Sequence, residues 1–176
     1  MVAPLLGDAQ VFSAMAAALG LTLKFAQAID FDPLVLDSDI PADYVGGIVC
    51  VPESTLVSKR NIALDSTLNW IRQDVSNTCG TIALFNLASN LKLVDLKLPD
   101  ALQFHQHYAG TSTDGSEEDV EMHFVALVGR DNQVYEIDGR NAHGVRVLKG
   151  NSIVEAIKAE YLFNSNGLIS AFLCSP

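Results

Sequence analysis

From Cys79 the chain runs Cys-Gly-Thr-Ile-Ala-Leu-Phe, then Leu87-Ala88, and the helix this predicts is apolar on nearly every side. A helix with no polar face has to be covered by other elements, so the chain must build a layered core around it. Ser76, Asn77 and Thr78 are capping types that start the helix at about residue 78. Cys79 then falls in the first turn, where unpaired N–H groups and the helix dipole favour negative charge. A free thiol titrates near ~8.5, and a helix N-terminus beside an imidazolium lowers that value by several units. Gly80 leaves room for a substrate backbone to approach the sulfur. Gln73, six residues ahead of Cys79, has an amide that can donate to a developing oxyanion together with the Cys79 N–H. The same placement also suits a cysteine that only fills the core, since cysteine is among the most buried residue types.

Residues 123–128 (HFVALV) and 133–138 (QVYEID) are rich in strand formers. Between them Gly129-Arg130-Asp131-Asn132 reads as a four-residue turn. Pairing Val128 with Gln133 sets His123 directly opposite Asp138, with Cβ atoms about 5 Å apart. One ring nitrogen is then held by a carboxylate while the other is free for a thiol proton. A slip of one residue would put the two side chains on opposite faces. By itself the pair also reads as an edge-strand histidine next to a turn acid.

Asp8 caps a helix through Leu19, with Val11, Phe12, Met15 and Leu19 on one face and Gly20 as its stop. Asp32-Pro33 predicts a turn. Residues 46–51 predict a buried strand ended by Pro52, and residues 66–73 a second helix. The segment 91–98 (LKLVDLKL) is ambiguous between strand and helix edge. Residues 145–148 predict a strand, Asn151 the cap of a helix through Glu160, and residues 168–173 a final strand. Helices first, then an antiparallel sheet with one helix buried against it, give an α+β layered domain.

At 176 residues the chain predicts one domain, and 49% hydrophobic against 18% charged residues predict a compact globular one. No apolar run reaches about 18 residues, so no membrane span is expected, and the first residues lack the pattern of a secretory signal. A net charge of −10 with 11 basic residues argues against a nucleic-acid partner. Three cysteines without zinc-type spacing fit a reducing cytosol or nucleus, with Cys50 and Cys174 as core filling in apolar strands. His105 and His107 share one face if they lie in a strand, which is a candidate metal pair, but no third ligand is near and a surface pair is expected. His143 is expected to be solvated. The chain has no phosphate-cradling glycine loop.

Taken together, Gln73, the Asn77–Thr81 segment, His123-Phe124 and the run from Tyr135 to Arg140 resemble the ubiquitin C-terminal hydrolase family of papain-like cysteine peptidases. Pro4-Leu5, Leu19-Gly20-Leu21, Phe31-Asp32 and the closing run Ile169–Cys174 are similar as well. Two departures stand out. His123 follows Cys79 by only 44 positions, a shortening between residues 90 and 120, and the sole tryptophan is Trp70, just before the cysteine motif, rather than in the opening strand. The resemblance implies a papain-like fold over residues 1–176 and a Cys79–His123–Asp138 triad with Gln73 as oxyanion donor. It implies cleavage after the C-terminal glycine of ubiquitin by a cytoplasmic or nuclear monomer that needs no metal or organic cofactor. The polar run 110–121 would be a shortened crossover loop. Its acids Asp114, Glu117, Glu118, Asp119 and Glu121 either steer the basic ubiquitin tail or simply keep a loop solvated. The alternatives are a ubiquitin-binding module that no longer assembles the site, and a hydrolase for another ubiquitin-like tag.

Overall fold

The computed structural model describes residues 3, 5, 7–39, 43–57, 68–91, 99–109, 121–142 and 144–176. The segment 91–98 beyond Leu91, His143 and the acids 114–119 lie outside the described residues, so the expectations that fall on them stay with the sequence.

Helix α1 (Ala9–Ala18) starts where Asp8 accepts hydrogen bonds from the backbone of Gln10 and Val11. It ends as Gly20 turns into the left-handed region (φ 78°), with Leu21 N donating to Ala16 O and Gly20 N to Ala17 O. Strand β1 (Lys24–Phe31), which the sequence reading missed, turns at Asp32-Pro33 into the short edge strand β2 (Leu34–Leu36). Strand β3 (Gly46–Pro52) includes the proline expected to end it and is buried at every position. It shows no polar alternation because both of its faces are covered. Helix α2 (Glu53–Val57) follows, then α3 (Cys79–Asn90), α4 (Ala101–Tyr108), β4 (Met122–Arg130), β5 (Gln133–Ile137), β6 (Val145–Leu148), α5 (Ile153–Ile157) and β7 (Ser170–Ser175).

The seven strands form one sheet in the order β2-β1-β7-β3-β4-β5-β6, antiparallel at every pairing. Helices α1 and α3 cover one face. There Phe12 sits among the rings of Phe25, Phe124 and Phe172 at centroid distances of 5.6, 5.8 and 5.2 Å. The other face packs Val49, Val51, Val125 and Leu127 against Leu56, Ile153, Ile157 and Tyr161. The α+β class and the buried central helix therefore hold. At Gly46 the packing is so close that a Cβ would lie 2.6 Å from the Leu87 methyl and 2.8 Å from Leu127 O, which is why this strand opens with glycine. Among the described residues no helix is long and apolar enough to cross a membrane.

Several expectations are corrected. The β4–β5 connection is a two-residue turn, Asp131-Asn132, with φ of 52° and 59°, a backbone whose twist matches that of the flanking strands. Gly129 and Arg130 belong to β4, and Arg130, not Val128, pairs with Gln133. The expected helix over 66–73 is absent from its described part. Asn69 and Ile71 instead run alongside α3 and exchange backbone hydrogen bonds with the side chains of Asn86 and Asn90. Ser152, rather than Asn151, caps α5, which loosens into a π-helical turn at Lys158–Leu162. The last strand starts two residues later than expected, after the turn in which Leu168 N donates to Ser165 O.

Beneath β5 and β6 lies a charge network with no counterpart in the sequence reading. Arg146 grips Glu136 with two hydrogen bonds of 3.0 and 2.6 Å and Glu160 with one of 3.0 Å, and Tyr161 donates to Glu136. Arg146 and Glu136 are 4% and 3% exposed, so neither can turn to water if its partner is lost. Arg146→Met is expected to destabilise the fold by about 3–5 kcal/mol in urea denaturation, because it leaves the buried Glu136 charge without its cation. Pairing it with Glu136→Leu should recover most of that loss, since an apolar pair leaves no charge to desolvate.

Candidate active site

Cys79 is the first residue of α3 and is 9% exposed. The N-cap is Thr78, but its hydroxyl donates to Val75 O at 2.8 Å and makes no capping bond to the first turn. The preceding Asn77 is in the left-handed region (φ 64°), which turns the chain sharply into the helix. The sulfur thus sits at the positive end of the dipole without a side-chain cap taking its place.

His123 lies near the start of β4 and Asp138 just past the end of β5. The register differs from the expected one by two positions rather than one, so the faces are preserved. Continuing the ladder sets Asp138 against Val125, whose side chain shares a face with His123. The two are diagonal neighbours, and His123 Nε2 is 2.7 Å from Asp138 Oδ1, with both side chains at most 1% exposed. An ionised carboxylate only accepts, so Nε2 carries the hydrogen and Nδ1 is left to face the rest of the site. The same Oδ1 accepts the Arg140 backbone N–H at 2.8 Å, a turn that holds the carboxylate from two sides.

The sulfur and the ring act on each other. Burial pushes the Cys79 thiol up, but His123, the Phe124 backbone N–H and the Arg140 guanidinium outweigh it and hold the thiol below its ordinary value. Burial pushes the His123 imidazolium down, but Asp138 and Cys79 outweigh it and raise the ring to about 9. The ordinary order of the two groups is drawn toward thiolate and imidazolium. His123 Nδ1 nevertheless has no aligned hydrogen-bond partner among the described residues, and Glu53 Oε2 lies 3.7 Å from it. Hydrogen bonding and charge between Cys79 and His123 both favour the ionised pair, lowering the thiol and raising the ring.

Gln73 lies beside this group. Its Nε2 donates to Val75 O at 3.0 Å, its Oε1 accepts from Arg140 Nε at 3.3 Å, and its backbone N–H donates to Gly139 O at 2.9 Å. The amide thus spends one of its two hydrogens on the loop that leads to the cysteine, the same group that the sequence offers to a developing oxyanion. Arg140 also bridges Glu53 at 3.1 Å and Glu121 at 2.7 Å. A cleft of about 420 Å³ opens here, lined by Trp70, Arg72, Gln73, Gly139, Arg140 and Ala142. A larger cavity of about 590 Å³ lies at the far end of the sheet, against Tyr44, Arg130 and Ser152, and contains none of the four predicted residues.

The remaining candidates divide. Cys50 and Cys174 are buried, and burial pushes each thiol up to about 12, as core filling requires. His105 and His107 lie on α4 rather than on a strand and do not form a surface pair. His105 is fully buried, with Nε2 on Ala3 O at 2.8 Å and Nδ1 on Thr81 Oγ1 at 2.9 Å, so it ties the start of the chain to the first turn of α3. Among the described residues no His, Cys, Asp and Glu group is arranged to hold a metal. Sequence reasoning missed Glu53 and the supporting roles of Trp70, Asn86 and Asn90. Only the last two left a signal: two amides spaced i, i+4 in an otherwise apolar helix.

The family model for ubiquitin carboxyl-terminal hydrolase, family 1, matches residues 2–106 and 96–160. Among curated proteins none matches the sequence significantly. Among solved structures, Trichinella spiralis UCH37 bound to ubiquitin vinyl methyl ester matches with a TM-score of 0.67 at 16% identity, over 98% of this chain and 81% of that one. The catalytic domain of the same Trichinella spiralis protein, also bound to ubiquitin vinyl methyl ester, matches with a TM-score of 0.69 at 16% identity, over 99% and 95%. These likenesses establish the fold, and with the family match covering most of its length the chain belongs to family 1 of the ubiquitin carboxyl-terminal hydrolases, which are cysteine-type enzymes.

Proposed function

We propose that the chain is one catalytic domain that cleaves after the C-terminal glycine of ubiquitin, with Cys79 as nucleophile, His123 as general base and acid, and Asp138 as the group that orients the ring. The observation that carries this reading is the buried 2.7 Å bond from His123 Nε2 to Asp138, which leaves the opposite ring nitrogen for a thiol whose proton it already draws. Ubiquitin is the proposed substrate because the similar UCH37 structures hold a ubiquitin vinyl methyl ester.

The Cys79 sulfur adds to the carbonyl carbon of the terminal glycine, and its proton passes to His123 Nδ1. The resulting oxyanion lies near the Cys79 N–H, and Gln73 contributes its amide once Nε2 leaves Val75 O. When the carbonyl re-forms, the bond to the leaving amine or thiol breaks and Nδ1 returns the proton to it. Water then attacks the thioester with His123 as base and releases the carboxylate and the thiol. Asp138 keeps the imidazolium in place throughout without taking its proton. All three cysteines are free and buried, which suits a monomer working in a reducing compartment.

A ubiquitin-based vinyl methyl ester probe should label the native chain at Cys79 and leave Cys79→Ala unlabelled. Labelling by a probe built on another ubiquitin-like tag, and not by the ubiquitin probe, would replace the proposed substrate. Binding of ubiquitin without any labelling would favour the non-catalytic module. His123→Gln should lower kcat by about 100-fold or more, the scale of a lost general base.

Turnover should follow a bell-shaped pH profile. Its acid limb rises below the ordinary thiol range, because the Cys79 pKa is lowered and the thiolate forms early. Its alkaline limb falls as pH passes about 9, where His123 loses the proton that the leaving group needs. A profile that keeps rising above pH 9 would contradict these roles.

A further inference from the structure

Residues 68–74 run between the two parts of the site and are hydrogen-bonded to both. Toward α3, Asn69 N donates to Asn90 Oδ1 at 2.8 Å and Asn90 Nδ2 returns a bond to Asn69 O at 2.8 Å. Two residues on, Ile71 N donates to Asn86 Oδ1 at 2.7 Å and Asn86 Nδ2 to Ile71 O at 3.1 Å. The two asparagine side chains thus stand in for the edge of a strand. Toward the acid, Trp70 Nε1 donates to Asp138 O at 2.9 Å and Gln73 N to Gly139 O at 2.9 Å. The helix that bears the sulfur and the turn that bears the carboxylate are pinned to one segment.

The turn after β5 is closed on itself. Asp138 N donates to Gly144 O, Gly144 N to Asn141 O, Asn141 N to Asp138 O, and Arg140 N to the Asp138 carboxylate. These bonds set its shape but not its tilt relative to His123. The turn is held from outside by Gln73 N, by the Arg140 side chain on Glu53 and Glu121, and by Trp70, whose ring lies so close over Gly144 that a Cβ there would be 3.1 Å from the indole. Gly144 also has φ 77°, so the turn passes under the ring at a residue suited to both demands.

We propose that Trp70 is a positioning residue for the reaction: its indole N–H, bonded to the Asp138 carbonyl, and its ring, seated on Gly144, fix the angle at which the Asp138 carboxylate meets His123. The proposal rests on the triad reading for its effect on turnover. The residue touches no reacting atom and acts through Asp138. Its peptide neighbours complete the link to α3, so the helix that bears the sulfur and the turn that bears the carboxylate share one support that carries none of the triad.

Trp70 is the sole tryptophan, so biosynthetic replacement of tryptophan by its benzothienyl isostere changes this site alone, keeping the ring and deleting the N–H. Trp70→Phe gives the same deletion with a smaller ring. The readout is the rate of Cys79 alkylation by iodoacetamide against pH, which needs no ubiquitin. In the native chain its upper inflection should lie near 9, the His123 value. In the isostere chain it should move toward the ordinary imidazole range, with the melting temperature unchanged. Turnover of a ubiquitin–fluorophore conjugate should lose about fivefold in kcat with little change in KM, the scale of one hydrogen bond. In an Asp138→Asn background the replacement should change neither quantity further. An unmoved inflection in the isostere chain, or an equal loss with Asp138 already replaced, overturns the proposal. Failure of the ubiquitin probe to label the native chain would instead sink the substrate reading and leave the alkylation result standing.

Discussion

Every residue of α3 except Ser89 is buried, and the sheet is organised around covering this helix. Its first turn has to reach the rim where β4 begins, because Gly46 lets Leu87 press onto the strands and Phe124 packs beside Gly80. That one contact area puts a sulfur at a helix mouth next to a histidine on a rigid strand. A loop-borne thiol would sweep through many positions, whereas a side chain on a fully packed helix has few. The chemistry thus depends on an apolar interface several residues away from it.

Two buried charge systems, one around Glu136 and one around His123, serve different ends. Arg146, Glu136, Glu160 and Tyr161 satisfy one another and hold the π-helical turn against β5 and β6. Around Cys79 the balance is left open. Burial opposes charge on both thiol and ring, and their mutual attraction, with Asp138, the Phe124 N–H and Arg140, overcomes it. Arg140 in turn is shared among Glu53, Glu121 and the Gln73 carbonyl oxygen.

Much of this was legible in local residue types. The Asp8 cap, the Gly20 stop, the buried strand at Gly46 and the β4–β5 hairpin follow from propensity and from the two backbone periods. The two-position error at Asp131-Asn132 was harmless, because an even slip preserves the face and so kept His123 and Asp138 together. The helix expected over 66–73 failed for a different reason. Local propensity there is weak, and the amides of Asn86 and Asn90 offer the backbone a partner that no window of that length contains. His105 escaped for the same cause: its strand-like spacing hid a helical position, and its partners Thr81 and Ala3 are remote in sequence.

What the sequence determined by itself was which groups exist and on which element each rides: a thiol in a first helical turn, an imidazole and a carboxylate on one face of a ribbon, and a family pattern joining them. Tertiary structure decided which of them meet, how far apart, and in what ionic state. Those properties come from burial and from hydrogen bonds between segments distant along the chain, such as Trp70 to Asp138 and Arg140 to Glu53. Local patterns report only the preferences of neighbours, while desolvation and orientation depend on everything packed around a group.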